Sequence, residues 1–156
     1  MNFDELIKGI GSSLGTLEPR SDKEGMYSFE IDKSTKLYIR RDVKDPNKVY
    51  AYSDLCHFPA DKDECKRLMG ALLWANLFAQ GTNGAVFSAD RSKQLVYFMR
   101  TLNLKKISLR VVFISVNDLI QHLDAWRERV QTKQYFVNYQ NPMSEREPIE
   151  SHWKRI

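Results

Sequence analysis

Residues 62–84, KDECKRLMGALLWANLFAQGTNG, are the stretch that decides the fold. Apolar residues recur at helical spacing from Cys65 to Phe78, which predicts a helix from about Lys62 to Ala79 that ends at the turn Gly81–Gly84. These residues are too many for one stripe, and a helix that is apolar on more than one face is buried on more than one side. One side can cover a sheet, and a second copy of the chain is a natural cover for the other side.

Upstream of this stretch, the sequence predicts one helix and three strands. A single apolar stripe predicts a helix over residues 2–14, with Asn2 as its cap and Gly15 just past its end. A polar loop follows at 16–24. Alternating large and polar side chains then predict three strands whose short polar links favour an antiparallel meander. The predicted strands span residues 25–31, 36–40 and 49–52.

Downstream, the pattern predicts two more strands, at 85–88 and 94–100, and a helix from about Ile107 to Gln131. The β-branched residues 111–114 leave a strand open as an alternative, in which case Ser115 and Asp118 would cap a shorter helix. The order α-β-β-β-α-β-β-α predicts an α+β domain with three helices on a twisted antiparallel sheet.

Composition indicates a single soluble domain, because the 156 residues are 42% hydrophobic and 28% charged. The acidic start Met1–Glu5 is unlike a secretory signal, and no apolar stretch approaches the ~20 residues that a membrane span needs. Cys56 and Cys65 do not form a disulfide framework. A cytoplasmic protein with free thiols is therefore expected.

The charge pattern raises the question of nucleic acid, since the net charge is +4 and the pI is near 9.0. The surplus lies in residues 81–132, which carry eight basic and four acidic groups without forming a run. Tyrosines beside basic residues at 38–41 and 97–100 are able to stack on bases, but antiparallel strands favour aromatic residues in any case. A mildly basic solvated surface is favoured, and a basic nucleic-acid-binding or regulatory module is the alternative.

The residue types that carry catalysis are present, but their spacing does not fit it. Cys56, His57 and Cys65 match no zinc pattern, and neighbours such as Cys56 and His57 point to opposite faces of a strand. The turn Gly81–Gly84 lacks the lysine of a phosphate loop. The acidic residues 61–64 fit a helix cap better than a calcium loop. We therefore expect that the protein is not an enzyme and that it has neither a cofactor nor a metal site.

Residues 72–78, LLWANLF, followed by Gly81–Gly84 and a strand, resemble the second helix of the class I type III secretion chaperones, the family that includes the Tir chaperone. In that family a Leu-Leu-x-Ala-Asn stretch leads into a glycine-bearing turn. The Gly-x-x-Leu finish of the first helix and the segment Leu123–Trp126 of the last are similar too. The resemblance covers about residues 2–132, so it divides the chain into a chaperone domain, 1–132, and an extended or flexible tail, 133–156. Many members are acidic, and an acidic effector is one explanation of the basic pI of this chain.

The resemblance implies a homodimer in the bacterial cytoplasm that has no cofactor. Such a chaperone binds the N-terminal segment of a secreted effector in extended form and keeps it soluble and export-competent. The secretion-system ATPase is a further candidate partner, while a membrane and nucleic acid are not expected. By resemblance, the effector-binding residues are Phe3, Ile7, Tyr27, Phe29 and Tyr38.

The resemblance also implies that the second helix forms the dimer interface. Plain packing inside one chain is the alternative for each of these residues and for the effector-binding residues. Asn76, polar in an apolar helix, either bridges the dimer or caps a local carbonyl. The interface residues that the resemblance implies are Met69, Trp74, Ala75 and Phe78.

Overall fold

The computed structural model describes residues 1–15, 21–22, 25–79 and 82–135. The predicted order α-β-β-β-α-β-β-α and the α+β class are confirmed within these residues. Parts of the predicted loop 16–24 and of the predicted tail 133–156 lie outside them. The elements are α1 (Phe3–Ser13), β1 (Met26–Glu30), β2 (Lys36–Arg41), β3 (Lys48–His57), α2 (Lys62–Asn76), β4 (Val86–Asp90), β5 (Leu95–Asn103) and α3 (Leu109–Thr132).

The strands form a five-stranded sheet in the order β1-β2-β3-β5-β4. The predicted antiparallel meander is confirmed, since β1 pairs with β2 and β2 with β3 in antiparallel register. Side chains alternate between a buried and a more exposed face, as the two-residue period of a strand requires. This alternation continues through Leu55, so β3 ends at His57 rather than at the predicted Tyr52.

Local sequence explains both ends of α1. The Asn2 side chain accepts a hydrogen bond from the Glu5 N–H, and the Glu5 carboxylate accepts one from the Asn2 N–H. This capping box satisfies two donors at the start of the helix. Gly15 follows the last turn with φ +72°, a left-handed conformation that glycine adopts at low cost.

Helix α2 begins as predicted and ends earlier than predicted. The Asp61 side chain accepts a hydrogen bond from the Glu64 N–H, which makes Asp61 the cap. The prediction that one α-helix continues to Ala79 is wrong, because α2 ends at Asn76 and a 3₁₀ turn, Leu77–Ala79, follows. Leu77 already has extended backbone angles, and Ala79 has φ +54°.

Helix α3 is a single helix from Leu109 to Thr132, so the alternative of a strand at 111–114 is wrong. The aliphatic residues of α3 recur at helical spacing along its buried face. This long period outweighs the local β propensity of residues 111–114. Trp126 is fully buried and packs edge-on against Phe87, with the ring centroids 4.8 Å apart.

The described residues fall into two compact units. The first unit comprises 1–53 and 101–118, and its core includes Leu6, Ile10, Phe29, Leu37 and Ile39. The second unit comprises 54–100 and 119–135 of the described chain, and its core includes Leu68, Phe87, Phe98, Leu123 and Trp126. Among the residues described, no helix combines the length and apolar character that crossing a membrane requires.

Candidate functional site

In the first unit, α1 and β1 bring two aromatic side chains together at an open groove. The rings of Phe3 and Tyr27 meet edge to face, with their centroids 5.8 Å apart. The Arg41 guanidinium lies 5.3 Å from the Phe3 ring centroid, within the range of a cation–π contact. We call this cavity of about 500 Å³ the aromatic groove. Its lining consists of Phe3, Asp4, Gly25, Tyr27, Arg41, Asp42, Val43 and Pro46.

Asp42 provides a fixed negative charge in the wall of the groove. Its carboxylate accepts hydrogen bonds from the Tyr50 hydroxyl at 2.6 Å and from the backbone N–H groups of Lys44 and Asp45 at 2.8 and 2.9 Å. The Tyr50 hydrogen bond is the largest cause that lowers the pKa of Asp42 to about 2, and the two backbone hydrogen bonds follow. Asp42 is therefore ionised at neutral pH, and its hydrogen bonds hold the turn that carries Val43.

The structure separates the five predicted effector-binding residues into three positions. Phe3 and Tyr27 line the aromatic groove, where both remain partly exposed. Ile7 and Phe29 are 4% and 2% exposed and belong to the core of the same unit. Tyr38 faces the other side of the sheet, because it pairs with Ser28 and stacks on Tyr52 at 5.2 Å rather than pairing with Tyr27.

In the second unit, α2 has two apolar stripes that differ in exposure. One stripe, formed by Leu68, Ala71, Leu72 and Ala75, is buried. On the other side Leu73, Trp74 and Leu77 are 71%, 49% and 51% exposed, and Met69 is half-buried. We call the second stripe the α2 apolar face; it consists of Met69, Leu73, Trp74 and Leu77.

The predicted interface residues fall on both stripes. Met69 and Trp74 belong to the α2 apolar face, whereas Ala75 is buried within its own chain. The side chain of Phe78 lies outside the described part of the structure. Leu73 and Leu77 were not among the predicted interface residues, and their exposure shows in the structure, where Leu77 lies just past the end of α2.

Asn76 joins the end of α2 to the edge strand β4. Its side-chain amide donates a hydrogen bond to the Phe87 carbonyl at 3.1 Å and accepts one from the Phe87 N–H at 2.8 Å. The amide thus forms the two-point pairing that a neighbouring strand would form with Phe87. These bonds place Asn76 against a strand of its own chain.

Cys56 is poorly suited to act as a nucleophile. Burial, followed by the neighbouring Cys65, raises the pKa of the Cys56 thiol to about 11. A thiol with this pKa is protonated at neutral pH, and the thiolate is the reactive form. Cys56 is therefore not an activated nucleophile in this environment.

Solved structures of secretion chaperones share this fold. The HopA1-SchA chaperone-effector complex matches with a TM-score of 0.62 and 19% identity, covering 81% of this chain and 93% of that chain. The ExsC-ExsE complex matches with a TM-score of 0.66 and 13% identity over 83% and 97% of the two chains. The Yersinia pestis type III secretion chaperone SycH, solved with a fragment of YscM2, matches with a TM-score of 0.53 and 16% identity over 82% and 96%. At these identities the likeness shows the fold.

The fold is therefore that of a small α+β protein with three helices and a five-stranded sheet, as in these solved structures. The family model described as "Tir chaperone protein (CesT) family" matches residues 5–127. The chain therefore belongs to the Tir chaperone protein (CesT) family, and the predicted family is confirmed. No curated protein matches the sequence. The comparisons give no support to the alternative of a nucleic-acid-binding module.

Proposed function

We propose that this chain is a cytoplasmic, non-catalytic homodimer that binds the N-terminal segment of a secreted effector in extended form and keeps it soluble and export-competent. The aromatic groove is the observation that carries the proposal. The type III secretion chaperone assignment comes from the family, and the groove adds a specific place for the effector on this chain.

The groove suits an apolar side chain on an extended segment. The Phe3 and Tyr27 rings offer apolar walls, and burying one large apolar side chain between such walls contributes about 1.5–3 kcal/mol. Arg41 and Asp42 at the same groove are able to bond the polar backbone beside that side chain. A concave surface with apolar walls and a few placed polar groups is the usual form of a ligand-binding site.

The edge of β1 offers a second element of recognition beside the groove. The Met26 N–H donates to the Asp22 carboxylate, and the Met26 carbonyl accepts from the Asp22 N–H, so the Met26 backbone points away from β2. Because successive strand residues alternate in direction, the backbone groups of Ser28 and Glu30 point the same way. Ser21 forms an antiparallel bridge with Tyr27 on this edge, so an extended effector segment would add as a strand beyond that bridge, towards Glu30.

The α2 apolar face supports the homodimer. Leu73 and Trp74 on α2, and Leu77 in the turn that follows it, present three large apolar side chains to solvent. A contiguous exposed apolar surface on a small protein commonly marks an interaction site. A two-fold symmetric contact buries the same surface on both copies, so one helix face is enough to build the interface.

Affinity capture of the full chain from its native cytosol tests the groove. The proposal expects one secreted protein to co-purify, to be identified by mass spectrometry, and to bind through its N-terminal segment. The double variant Phe3→Ala/Tyr27→Ala should weaken its binding by about a hundredfold, because two apolar contacts are lost. Tyr38→Ala is the matched control, since it removes an aromatic ring from the other sheet face. Unchanged binding by the Phe3/Tyr27 variant would contradict the proposed groove.

A further inference from the structure

The first turn of α3 and the loop before it carry a surface that the groove and the α2 apolar face do not include. Lys105, Lys106 and Arg110 are exposed there. Val111 and Ile114 are 43% and 60% exposed and lie three residues apart, on one side of the helix. We call these five residues the α3 basic face.

The cations of this face are not used to stabilise α3. In the described part of the chain, no carboxylate forms a salt bridge with Lys105, Lys106 or Arg110. The first turn of α3 holds no acidic residue. Positive charges near the N-terminal end of a helix oppose its dipole and cost about 0.3–1 kcal/mol each. Arg110, in the first turn, therefore opposes the stability of the helix, and Lys105 and Lys106 add positive charge just before it.

The combination of charges and aliphatic groups indicates the chemistry of the occupant. Three cations that form no salt bridge with a carboxylate of the described residues attract a negatively charged partner, and electrostatic complementarity of this kind sets which partner binds. Val111 and Ile114 add apolar area that an acidic chain with aliphatic side chains is able to cover. None of the five residues is aromatic, as stacking on bases would require. Two aliphatic side chains are also a small area for insertion into a membrane.

The α3 basic face and the aromatic groove belong to the same compact unit and are joined through α1. A Cβ atom on Gly9 would lie 2.6 Å from Leu109 Cδ2, so α1 and the start of α3 are in close contact. Along α1, the six residue steps from Phe3 to Gly9 make a path of about 9 Å, and crossing from one packed helix axis to the next adds about 8–10 Å to that path. An extended chain at ~3.3 Å per residue covers the resulting ~20 Å with about six residues.

We propose that the α3 basic face binds an acidic stretch with aliphatic side chains in the same effector whose apolar segment occupies the aromatic groove. The proposal rests on the proposed function, and it assigns part of the basic surplus of residues 81–132 to effector recognition. It specifies the effector class as one that carries an apolar residue and, within about a dozen positions, a cluster of Asp or Glu with Leu, Ile or Val.

A synthetic peptide tests this surface without the effector itself. The probe is a labelled peptide about twelve residues long, made of glutamate, leucine and serine, and its counterpart has glutamine in place of every glutamate. The full chain should bind the acidic probe at least about tenfold more tightly than the counterpart, and the difference should shrink with added salt. Lys105→Glu/Lys106→Glu/Arg110→Glu should weaken binding of the acidic probe by at least about tenfold.

A second variant separates the apolar contribution from the charges. Val111→Ser/Ile114→Ser keeps all three cations and should still weaken binding of the acidic probe several-fold. Because both side chains are exposed, their loss leaves the core intact. Circular dichroism verifies that both variants fold. Equal binding of the acidic probe by the parent chain and the charge-reversed variant overturns the proposal. Charge-dependent binding of phosphatidylserine vesicles or an oligonucleotide, without binding of the acidic peptide, overturns it too, as does a change in oligomeric mass caused by the variants.

Binding of the effector that affinity capture recovers distinguishes a failure of the proposed groove from a failure of the α3 basic face. Charge reversal of the α3 basic face should weaken binding of that effector by about tenfold, while its apolar segment remains bound. If Phe3→Ala/Tyr27→Ala leaves the effector bound, the proposed groove fails, while the peptide measurement still decides the α3 basic face. If only the charge reversal has no effect on effector and peptide, the further inference fails and the groove stands.

Discussion

The aromatic groove and the α2 apolar face both expose apolar side chains, and they differ in shape and in charge. In the groove, Phe3 and Tyr27 are bordered by Arg41 and Asp42, so apolar and charged groups alternate around a cavity. On α2, Leu73 and Trp74 expose large apolar side chains on a convex helix, and Leu77 exposes a third directly after its last residue. A cavity with both apolar and charged groups suits a flexible segment, whose backbone is polar between its apolar side chains. A uniformly apolar, convex stripe suits a folded partner that presents an apolar surface of its own.

This difference fits the two kinds of protein contact that we propose for the chain, one with an effector segment and one with a second copy. A folded helix is too wide for a cavity that is sized for individual side chains, and an extended segment gains little from a convex stripe that offers no backbone partner. Each of the following measurements tests one side of this contrast.

The largest effect is expected at the α2 apolar face. Leu73→Asp/Trp74→Asp places two carboxylates in the proposed interface, where burying unpaired charge is costly. The dimer dissociation constant should rise by about a thousandfold, equivalent to about 4 kcal/mol. Light scattering should then show a mass near 18.3 kDa in place of twice that value. A parent chain that is already monomeric at micromolar concentration would contradict the assignment of this face.

On the groove side, a pair of neighbouring aromatic residues separates core from binding surface. Phe29→Ala should lower the free energy of unfolding by about 3–4 kcal/mol, because Phe29 is buried and its loss leaves a cavity. Tyr27→Ala should lower it by only about 1 kcal/mol, since Tyr27 is half-buried and loses mainly its edge contact with Phe3. Urea denaturation measures both. Equal losses for the two variants would place Tyr27 in the core and weaken the case for the groove.

The sequence predicted what local patterns determine. The one stripe of α1, the Asn2 cap and the order of strands follow from periodicity and short-range hydrogen bonding, and each is found in the structure. The excess of apolar residues in α2 was also visible. Which stripe lies inside was not, because Ala75 and Leu73 are both apolar and only the packing against the rest of the chain distinguishes them.

The features that could not be predicted from the sequence depend on contacts between residues that are distant along the chain. The end of α2 is set by Asn76 bonding to Phe87, eleven residues later. The grouping of Tyr38 with Tyr27 and Phe29 overlooked the strand register, which puts Tyr38 on the other sheet face. That register comes from the β1–β2 pairing, and a residue-by-residue comparison with a family motif does not contain it.

The role of Asn76 is open to direct measurement. Asn76→Ala should destabilise the chain by about 2 kcal/mol, because the Phe87 N–H and carbonyl lose their partner. Since both bonds lie within one chain, the oligomeric mass should not change. Urea denaturation and light scattering on the same sample decide the matter. A halved mass with little loss of stability would instead show that Asn76 bridges two copies.

Tyr135 gives a pH-dependent effect in the second unit, where its hydroxyl bonds the Glu64 carboxylate. Burial, followed by that hydrogen bond, raises the pKa of Tyr135 to about 12, above the value of about 10 in an unfolded chain. The folded state keeps the proton longer, so this stabilisation is complete below about pH 10 and is lost as the pH rises towards 12.

In Tyr135→Phe, the pH-dependent part should disappear. The variant should be about 1 kcal/mol less stable than the parent at about pH 8, and the gap should narrow between pH 10 and 12. Urea midpoints of both proteins across that range measure it. A gap that is independent of pH would show that the hydroxyl does not bond Glu64 in the folded state.

The smallest effect concerns the charge that distinguishes the groove from the α2 apolar face. The Tyr50 hydroxyl is the largest cause of the low pKa of Asp42, and the backbone N–H groups of Lys44 and Asp45 remain when it is removed. Tyr50→Phe should therefore raise the pKa of Asp42 from about 2 part of the way towards 3.8. A carbon-13 NMR titration of the side-chain carboxyl measures it, and Tyr52→Phe is the control because the Tyr52 hydroxyl bonds Met26 instead. Because the folded-state pKa is lowered, Asp42 stabilises the fold above about pH 4, and this contribution is lost as the pH falls towards 2. In Tyr50→Phe that loss should be smaller and should be complete at a higher pH, whereas an unchanged Asp42 titration would show that the turn alone holds the carboxylate at the groove.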